Sequence, residues 1–201
     1  VSVGPPGNAK SPVTVVATGH GVAATTVAVF SSPGPVHDGR LKPTLATQGE
    51  STVSAASDGS GPSNNCSTCS LDGTSMAAPT AAGLAALVRE YYTAGYYAAG
   101  ARSAQAGFVP SGALIKATLI DASIALTSPT QAPDFEAGFG RVQLDQTLAL
   151  AGSPFALRVD DHREGGGTGG GFTRALDVSA GTPLRATLVW GLTFYPGSPW
   201  D

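Results

Sequence analysis

The alternation of apolar and polar positions divides the chain into two parts. In the first, short β-branched runs alternate with loops and then give way to helix. Residues 13–17, Val-Thr-Val-Val-Ala, sit between Pro12 and the glycines at 19 and 21 and read as a buried strand. Residues 25–30 read as a second strand. Over residues 31–42, Pro33, Gly34, Pro35 and Gly39 require a turning backbone. Residues 52–55 predict another short strand, and residues 57–70 a polar Gly/Ser/Asn loop. From Thr74 to about Tyr92 the sequence is rich in Ala and Leu, which favours helix. It is apolar nearly all round, so this helix is expected to be buried. Residues 91–107 read as a small-residue linker. Ser111 is a candidate N-cap for a second helix over 112–125, with Ile115, Leu119 and Ala122 on one face. A short third helix is expected over 144–151.

After Gly152 the period changes to two. Residues 156–159, 172–178 and 184–190 read as strands. In the last of these, Leu184, Ala186, Leu188 and Trp190 share a face, with Arg185 and Thr187 on the other. The glycines at 165–167 and 169–171 read as flexible loop. They formally spell G-x-G-x-x-G, but they precede a strand, not a helix, and no Lys-Ser/Thr follows, so a phosphate cradle is not expected. The pattern predicts an α/β unit over residues 1–152 and the beginning of an all-β unit over 153–201, with no internal repeat.

Composition narrows the function classes. The 201 residues are 42% hydrophobic and 12% charged, too apolar and too weakly charged for a disordered chain. Glycine (27) and proline (15) point to a loop-rich globular protein. A net charge of −3 offers no basic surplus for nucleic acid. No apolar run approaches the roughly 20 residues of a membrane span. The sequence opens and closes in mid-pattern, so it is expected to be part of a longer protein.

The most informative string is Gly73-Thr74-Ser75-Met76-Ala77-Ala78-Pro79. It places a serine where a polar loop meets a long helix. The first N–H groups of a helix have no partner within it, and its dipole adds partial positive charge. Both suit a nucleophile whose reaction passes through an oxyanion. Pro79 costs little near a helix start, which places that start close to Ser75. The string lacks the second glycine of an α/β-hydrolase elbow, which disfavours a lipase or esterase.

This motif resembles the nucleophile segment of the subtilisin-like serine peptidases, the subtilases. Three further segments support the resemblance: Phe30-Ser31-Ser32-Pro33-Gly34-Pro35 with Asp38-Gly39-Arg40-Leu41-Lys42-Pro43, Gly7-Asn8-Ala9-Lys10 before Val13-Thr14-Val15, and Gly138-Phe139-Gly140-Arg141-Val142 with Leu144-Asp145. Their order and spacing fit over about residues 5–152. Leu188-Val189-Trp190 resembles the start of the β-sandwich that follows the catalytic domain in some secreted members. The resemblance implies the C-terminal half of a subtilisin-like α/β domain, a mostly parallel sheet with helices on both faces, followed by part of a β-sandwich. It implies a secreted serine endopeptidase. Ser75 is the implied nucleophile, the Ser75 N–H the implied oxyanion donor and Thr74 a secondary one. The Asp and His of the triad and the oxyanion asparagine are then expected upstream of Val1, in an N-terminal half that this chain partners. The partners implied are that half and a protein or peptide substrate, with neither nucleic acid nor membrane. The alternative is a catalytically inactive secreted binding module on the same scaffold. The 201-residue chain alone is expected to be inactive.

Other positions are weighed against this frame. Asn8 lies in the approach to a strand, unlike the Gly-rich setting of the family's asparagine. His37 beside Asp38 and His162 beside Asp161 are adjacent pairs whose side chains diverge; they and His20 read as exposed loop histidines. Met76 resembles the oxidation-sensitive methionine beside the family's serine, a gap-filling core residue being the other reading. For Cys66 and Cys69, in Cys-Ser-Thr-Cys, a tight disulfide in an oxidising compartment is expected, with free thiols and metal or redox chemistry as the other readings. The chain departs from the family pattern at Pro33, usually arginine, at Thr44, usually acidic, and at Gln48, usually proline. No cofactor is required for the implied chemistry. Family members often bind structural calcium, for which Asp160, Asp161 and Glu164 form only a loose acidic cluster.

Overall fold

Small and β-branched residues build the first strand, β1 (Val15–Thr18), in a computed structural model that describes residues 3–97, 99–127, 131–166 and 169–191. A 3-10 turn over Gly21–Thr25 and a long Pro/Gly-rich loop lead to β2 (Leu45–Gln48). β3 (Thr52–Ala55) and β4 (Thr68–Leu71) follow, then α1 (Thr74–Thr93), α2 (Gly112–Asp121), β5 (Ser123–Ile124) and β6 (Arg141–Val142).

β1, β2, β6 and β5 form one sheet in that order. β1 and β2 run parallel with Val15 opposite Leu45 and Thr18 opposite Gln48, and β6 runs parallel to β2 at Ala46 and Arg141. β5 closes the edge antiparallel. β3 and β4 form a separate antiparallel ribbon. The molecule is thus a mixed α/β fold with a parallel-rich sheet.

Alternation along the strands assigns the two faces. Leu45 and Thr47 meet α1, and Leu45 joins Val88, Tyr91, Tyr92, Leu114, Leu119 and Val142 in the main core. Tyr92 anchors this core. It is fully buried, its ring lies 5.2 Å from Phe108, and its hydroxyl is 2.9 Å from that of Thr118. Thr118 spends its own proton on the Leu114 carbonyl, so Tyr92 is the donor of the pair. Val16 and Ala46 point the other way, against Leu126 and Ala137. Among the described residues that second face is covered by loops and both helices lie on the first. The β1–β2 connection is too rich in proline and glycine to continue as helix.

Several expectations hold closely. α1 starts at Thr74 as the motif implied. Ser111 caps α2, its hydroxyl accepting the Leu114 N–H at 3.0 Å. β3 falls on residues 52–55 as expected. Others are corrected. Residues 25–30 make isolated bridges, among them Thr18 to Val27, in place of a strand. This segment crosses β1 at Ala17, whose carbonyl accepts from the Ala28 N–H and whose N–H donates to the Ser31 hydroxyl, and Val29 is left fully exposed (100%). The loop expected over 57–70 contains the start of β4. The helix expected over 144–151 is a 3-10 turn, Leu144–Gln146. Beyond it the Ala149 carbonyl accepts from the Tyr91 hydroxyl at 2.8 Å, a tertiary bond in place of a helical one. α1 is not buried all round either: Ala77, Ala81, Val88, Tyr91 and Tyr92 are buried, while Ala78, Ala82, Ala86 and Leu87 face outward.

Residues 153–191 form no strand among the described residues, although 156–159, 172–178 and 184–190 carry the period-two pattern. A ladder needs a partner, and in 172–178 and 184–190 the apolar set faces out, with Leu188 73% and Trp190 71% exposed. The segment is held by Leu157 and Val159 packing on the main core and by polar contacts, among them the Thr187 hydroxyl donating to Asp121 at 2.9 Å.

Candidate active site

The C-terminal ends of parallel strands are where α/β sheets present their sites. β2 ends at Gln48, and Gly49 follows directly. The Gly49 carbonyl accepts from the Gly73 N–H at 2.8 Å, pinning the loop before α1 to the strand end. This approach is close: a Cβ on Gly49 would lie 2.6 Å from the Ala17 Cβ and 2.7 Å from the Gly73 carbonyl oxygen. Gly73 has φ 156° and ψ 158°, a region only glycine occupies readily, and its carbonyl accepts from the Met76 N–H at 3.0 Å. A second tie runs from the buried Thr47 hydroxyl to the Ala77 carbonyl at 2.7 Å. A third runs from the Ser51 N–H to the Asp72 carboxylate at 2.6 Å.

These ties place Ser75 in the first turn of α1, exposed to solvent. Its hydroxyl makes no hydrogen bond among the described residues. The Thr74 and Ser75 N–H groups likewise have no partner there, so two donors face outward where the helix dipole is positive. Pro79, the sixth residue of α1, has no N–H for the Ser75 carbonyl. Met76 is half-buried behind Gly73. Chemically, such a turn can receive an oxyanion on its N–H groups while holding an accessible hydroxyl beside it.

The remaining sequence candidates fall elsewhere. His20, His37 and His162 are exposed and none is hydrogen-bonded to Ser75; the His162 ring rests against Phe172 with centroids 5.7 Å apart. Asn8 lies before the N-terminal end of β1, whereas the Gly73 turn lies by Ala17 near its C-terminal end, and the Asn8 carbonyl accepts from Arg40 at 2.9 Å. Asp160 pairs with Arg174, and Asp161 accepts from the Ser111 N–H at 2.8 Å and pairs with Arg163. Those carboxylates are committed to cations and backbone, and among the described residues no three or more His, Cys, Asp or Glu side chains gather to hold a metal. No described helix is long and apolar enough to cross a membrane.

The two cysteines lie around the start of β4. Cys66 is an exposed free thiol and Cys69, in β4, a partly buried one. Ser67 between them already accepts from the Ala56 N–H at 2.9 Å, continuing the ladder outward, so the chain there is extended. Three extended residues span about 10 Å. That exceeds the roughly 7 Å between Cα atoms that a disulfide tolerates. Closing a Cys66–Cys69 bond would require the two residues to approach each other from this extended arrangement.

Sequence reasoning passed over Thr47, Gly49 and Asp72, whose contacts fix the Ser75 turn. Their only local signal was Gly49 after a short apolar run. Away from the site, Lys42 stands out. It is 3% exposed, with its ammonium donating to the Pro12 carbonyl at 2.7 Å and to Thr14 at 3.0 Å. Burial, with Lys116 and Arg40 nearby, lowers its pKa to about 8.

Known proteins share this fold and sequence in part. The solved protease CspB of Clostridium perfringens superposes with a TM-score of 0.54 at 25% identity, over 72% of this chain and 28% of that one. The maturation protease PagA superposes with a TM-score of 0.51 at 17% identity, over 71% and 43%, a likeness of fold alone. The fold is therefore of a protease type. The model of the Subtilase family matches residues 1–140, and the chain belongs to that family. The serine protease/ABC transporter B family protein tagA of Dictyostelium discoideum is 34% identical over 192 residues, covering 85% of this chain and 10% of that protein. The chain spans a tenth or less of the curated relatives it matches.

Proposed function

We propose that this chain carries the nucleophile of a serine endopeptidase, and that the nucleophile is Ser75. The observation that carries the reading is the Ser75 turn itself: an accessible hydroxyl with unpartnered N–H groups of Thr74 and Ser75, held at the end of a parallel strand by Gly49 and Thr47. In the proposed reaction a histidine outside this chain takes the Ser75 proton, oriented by an aspartate. The Ser75 oxygen attacks the carbonyl of a protein or peptide substrate. The oxyanion accepts from the Ser75 N–H, with Thr74 contributing. The amine leaves with the proton, and water releases the acyl group from Ser75. The position of Met76 behind Gly73 supports its reading as the oxidation-sensitive neighbour of the reacting carbon.

The test is fluorophosphonate labelling of the full-length protein. A single adduct on Ser75, absent from Ser75→Ala and from the 201-residue chain alone, is the expected result. A folded full-length protein that leaves Ser75 unlabelled would favour the alternative, an inactive binding module, over catalysis.

A further inference from the structure

The β3–β4 ribbon connects the two cysteines to Ser75 through an unbroken series of contacts. At the outer end the Asn65 side chain donates to the Ala56 carbonyl at 2.9 Å and the Ala56 N–H donates to the Ser67 carbonyl at 2.9 Å. The pairs Ala55–Thr68, Ser54–Cys69, Val53–Ser70 and Thr52–Leu71 follow inward. The series ends in the Ser51 bond to Asp72 and the Gly73 bond to Gly49, two residues before Ser75. The ribbon is a two-stranded sheet of its own, and Val53 and Leu71 are more than half exposed. Such a ribbon is marginally stable and opens readily.

We propose that Cys66 and Cys69 form a reversible dithiol–disulfide modification site whose oxidation loosens this ribbon and moves the Ser75 turn. The oxidant is a low-molecular-weight disulfide. Exposed Cys66 loses its proton and attacks one sulfur, forming a mixed disulfide and releasing one small thiolate. Cys69 loses its proton and attacks the Cys66 sulfur, closing the Cys66–Cys69 bond and releasing the second thiolate. The two protons end on the two released thiols. Bond closure requires the Cα atoms to come within about 7 Å, where the extended chain holds them about 10 Å apart. Ser67 and Thr68 must therefore leave the ladder, which costs the Ala56–Ser67 bond and the Ala55–Thr68 pair. A ribbon shortened in this way holds Asp72 and Gly73 less firmly. The consequence for Ser75 rests on its proposed role as nucleophile; the opening of the ribbon does not.

The experiment treats the full-length protein with glutathione disulfide and follows three signals. Peptide mass gives the state of Cys66 and Cys69, hydrogen exchange reports on residues 52–56 and 67–71, and fluorophosphonate reports on Ser75. The expected result is a mass loss of about 2 Da across the pair, faster exchange in both strands, and labelling slowed at least about tenfold. Dithiothreitol restores all three. Cys66→Ser/Cys69→Ser is insensitive, and Cys69→Ser, which can only take a mixed disulfide at Cys66, keeps its labelling rate. The proposal is overturned if the pair stays reduced, if it oxidises with exchange unchanged, or if the mixed disulfide alone slows labelling equally. If the reduced protein never labels at Ser75, the peptidase reading fails while the exchange signal still decides the fate of the ribbon.

Discussion

Gly49 is the tightest point of the candidate site, and adding one methyl group there tests the geometry directly. The Cβ of Gly49→Ala would stand 2.6 Å from the Ala17 Cβ, 2.7 Å from the Gly73 oxygen and 3.1 Å from the Ala77 Cβ. None of these neighbours is the far end of a flexible side chain: they are Cβ atoms of β1 and α1 and a carbonyl of the glycine turn, so no side chain can swing aside. Relief needs a movement of about 1 Å, and the Gly73 turn, on the solvent side, is the part free to make it. Overpacking of this kind costs about 1–3 kcal/mol. A displacement of that size at a nucleophile slows reaction by roughly ten- to a hundredfold. The assay compares denaturant unfolding and the fluorophosphonate rate at Ser75 in full-length wild type and variant. Gly83→Ala is the control. It sits in α1 with open space around it, so it should gain up to about 1 kcal/mol in helix propensity and label at the wild-type rate. A Gly49→Ala protein that unfolds and labels like wild type would refute the argument that this contact positions Ser75.

Four further outcomes are expected in the full-length protein. Tyr92→Phe removes a buried donor from Thr118 and should cost about 1 kcal/mol in denaturant unfolding; a neutral result would mean the hydroxyl is satisfied elsewhere. Ser111→Ala removes the cap on α2 and should cost about 0.5–2 kcal/mol, with Ser111→Gly closer to wild type. Lys42 has a folded pKa of about 8 against the ordinary lysine value of 10.5, so the folded protein sheds this proton first as pH rises. Its buried charge burdens the folded state below pH 8, and stability relative to Lys42→Met should rise between pH 8 and 10.5 by no more than about 3 kcal/mol. A flat difference across that window would rule out the shift. Peroxide should oxidise Met76 and slow labelling of Ser75, whereas Met76→Leu should resist; equal sensitivity of the two would assign the damage elsewhere.

The helical elements were the legible part of the chain. α1 and α2 announce themselves through composition and the Ser111 cap, both local signals, and the Ser75 motif carries its own position at a helix start. β2 was not legible, because Leu45-Ala46-Thr47-Gln48 is a short buried strand with neither alternation nor length. β4 hid inside a polar stretch whose extended form depends on pairing with β3. The outward face of α1 and the unpaired period-two segments after 153 show the reverse case. There the pattern is present in the sequence, but burial and pairing depend on partners that composition does not identify. The positioning contacts at Ser75 were illegible for the same reason: Thr47 reaches Ala77 and Gly49 reaches Gly73 across stretches of chain that no local window contains.

Pro79 has a mechanical effect on this arrangement. Because it offers no N–H, the first turn of α1 is not laced to the next one at the Ser75 carbonyl. One intrahelical bond is therefore missing at this point, while the Thr80 hydroxyl donates to the Met76 carbonyl at 2.9 Å beside it. The turn bearing Ser75 is clamped to the sheet by Gly49 and Thr47, whereas the remainder is clamped to the core by Val88, Tyr91 and Tyr92. A tilt of a few degrees between the two halves breaks no hydrogen bond at that position. The missing bond lowers the resistance to bending between the two clamped halves. Repacking around Tyr92 can accordingly alter how firmly the domain holds together without changing the aim of Ser75.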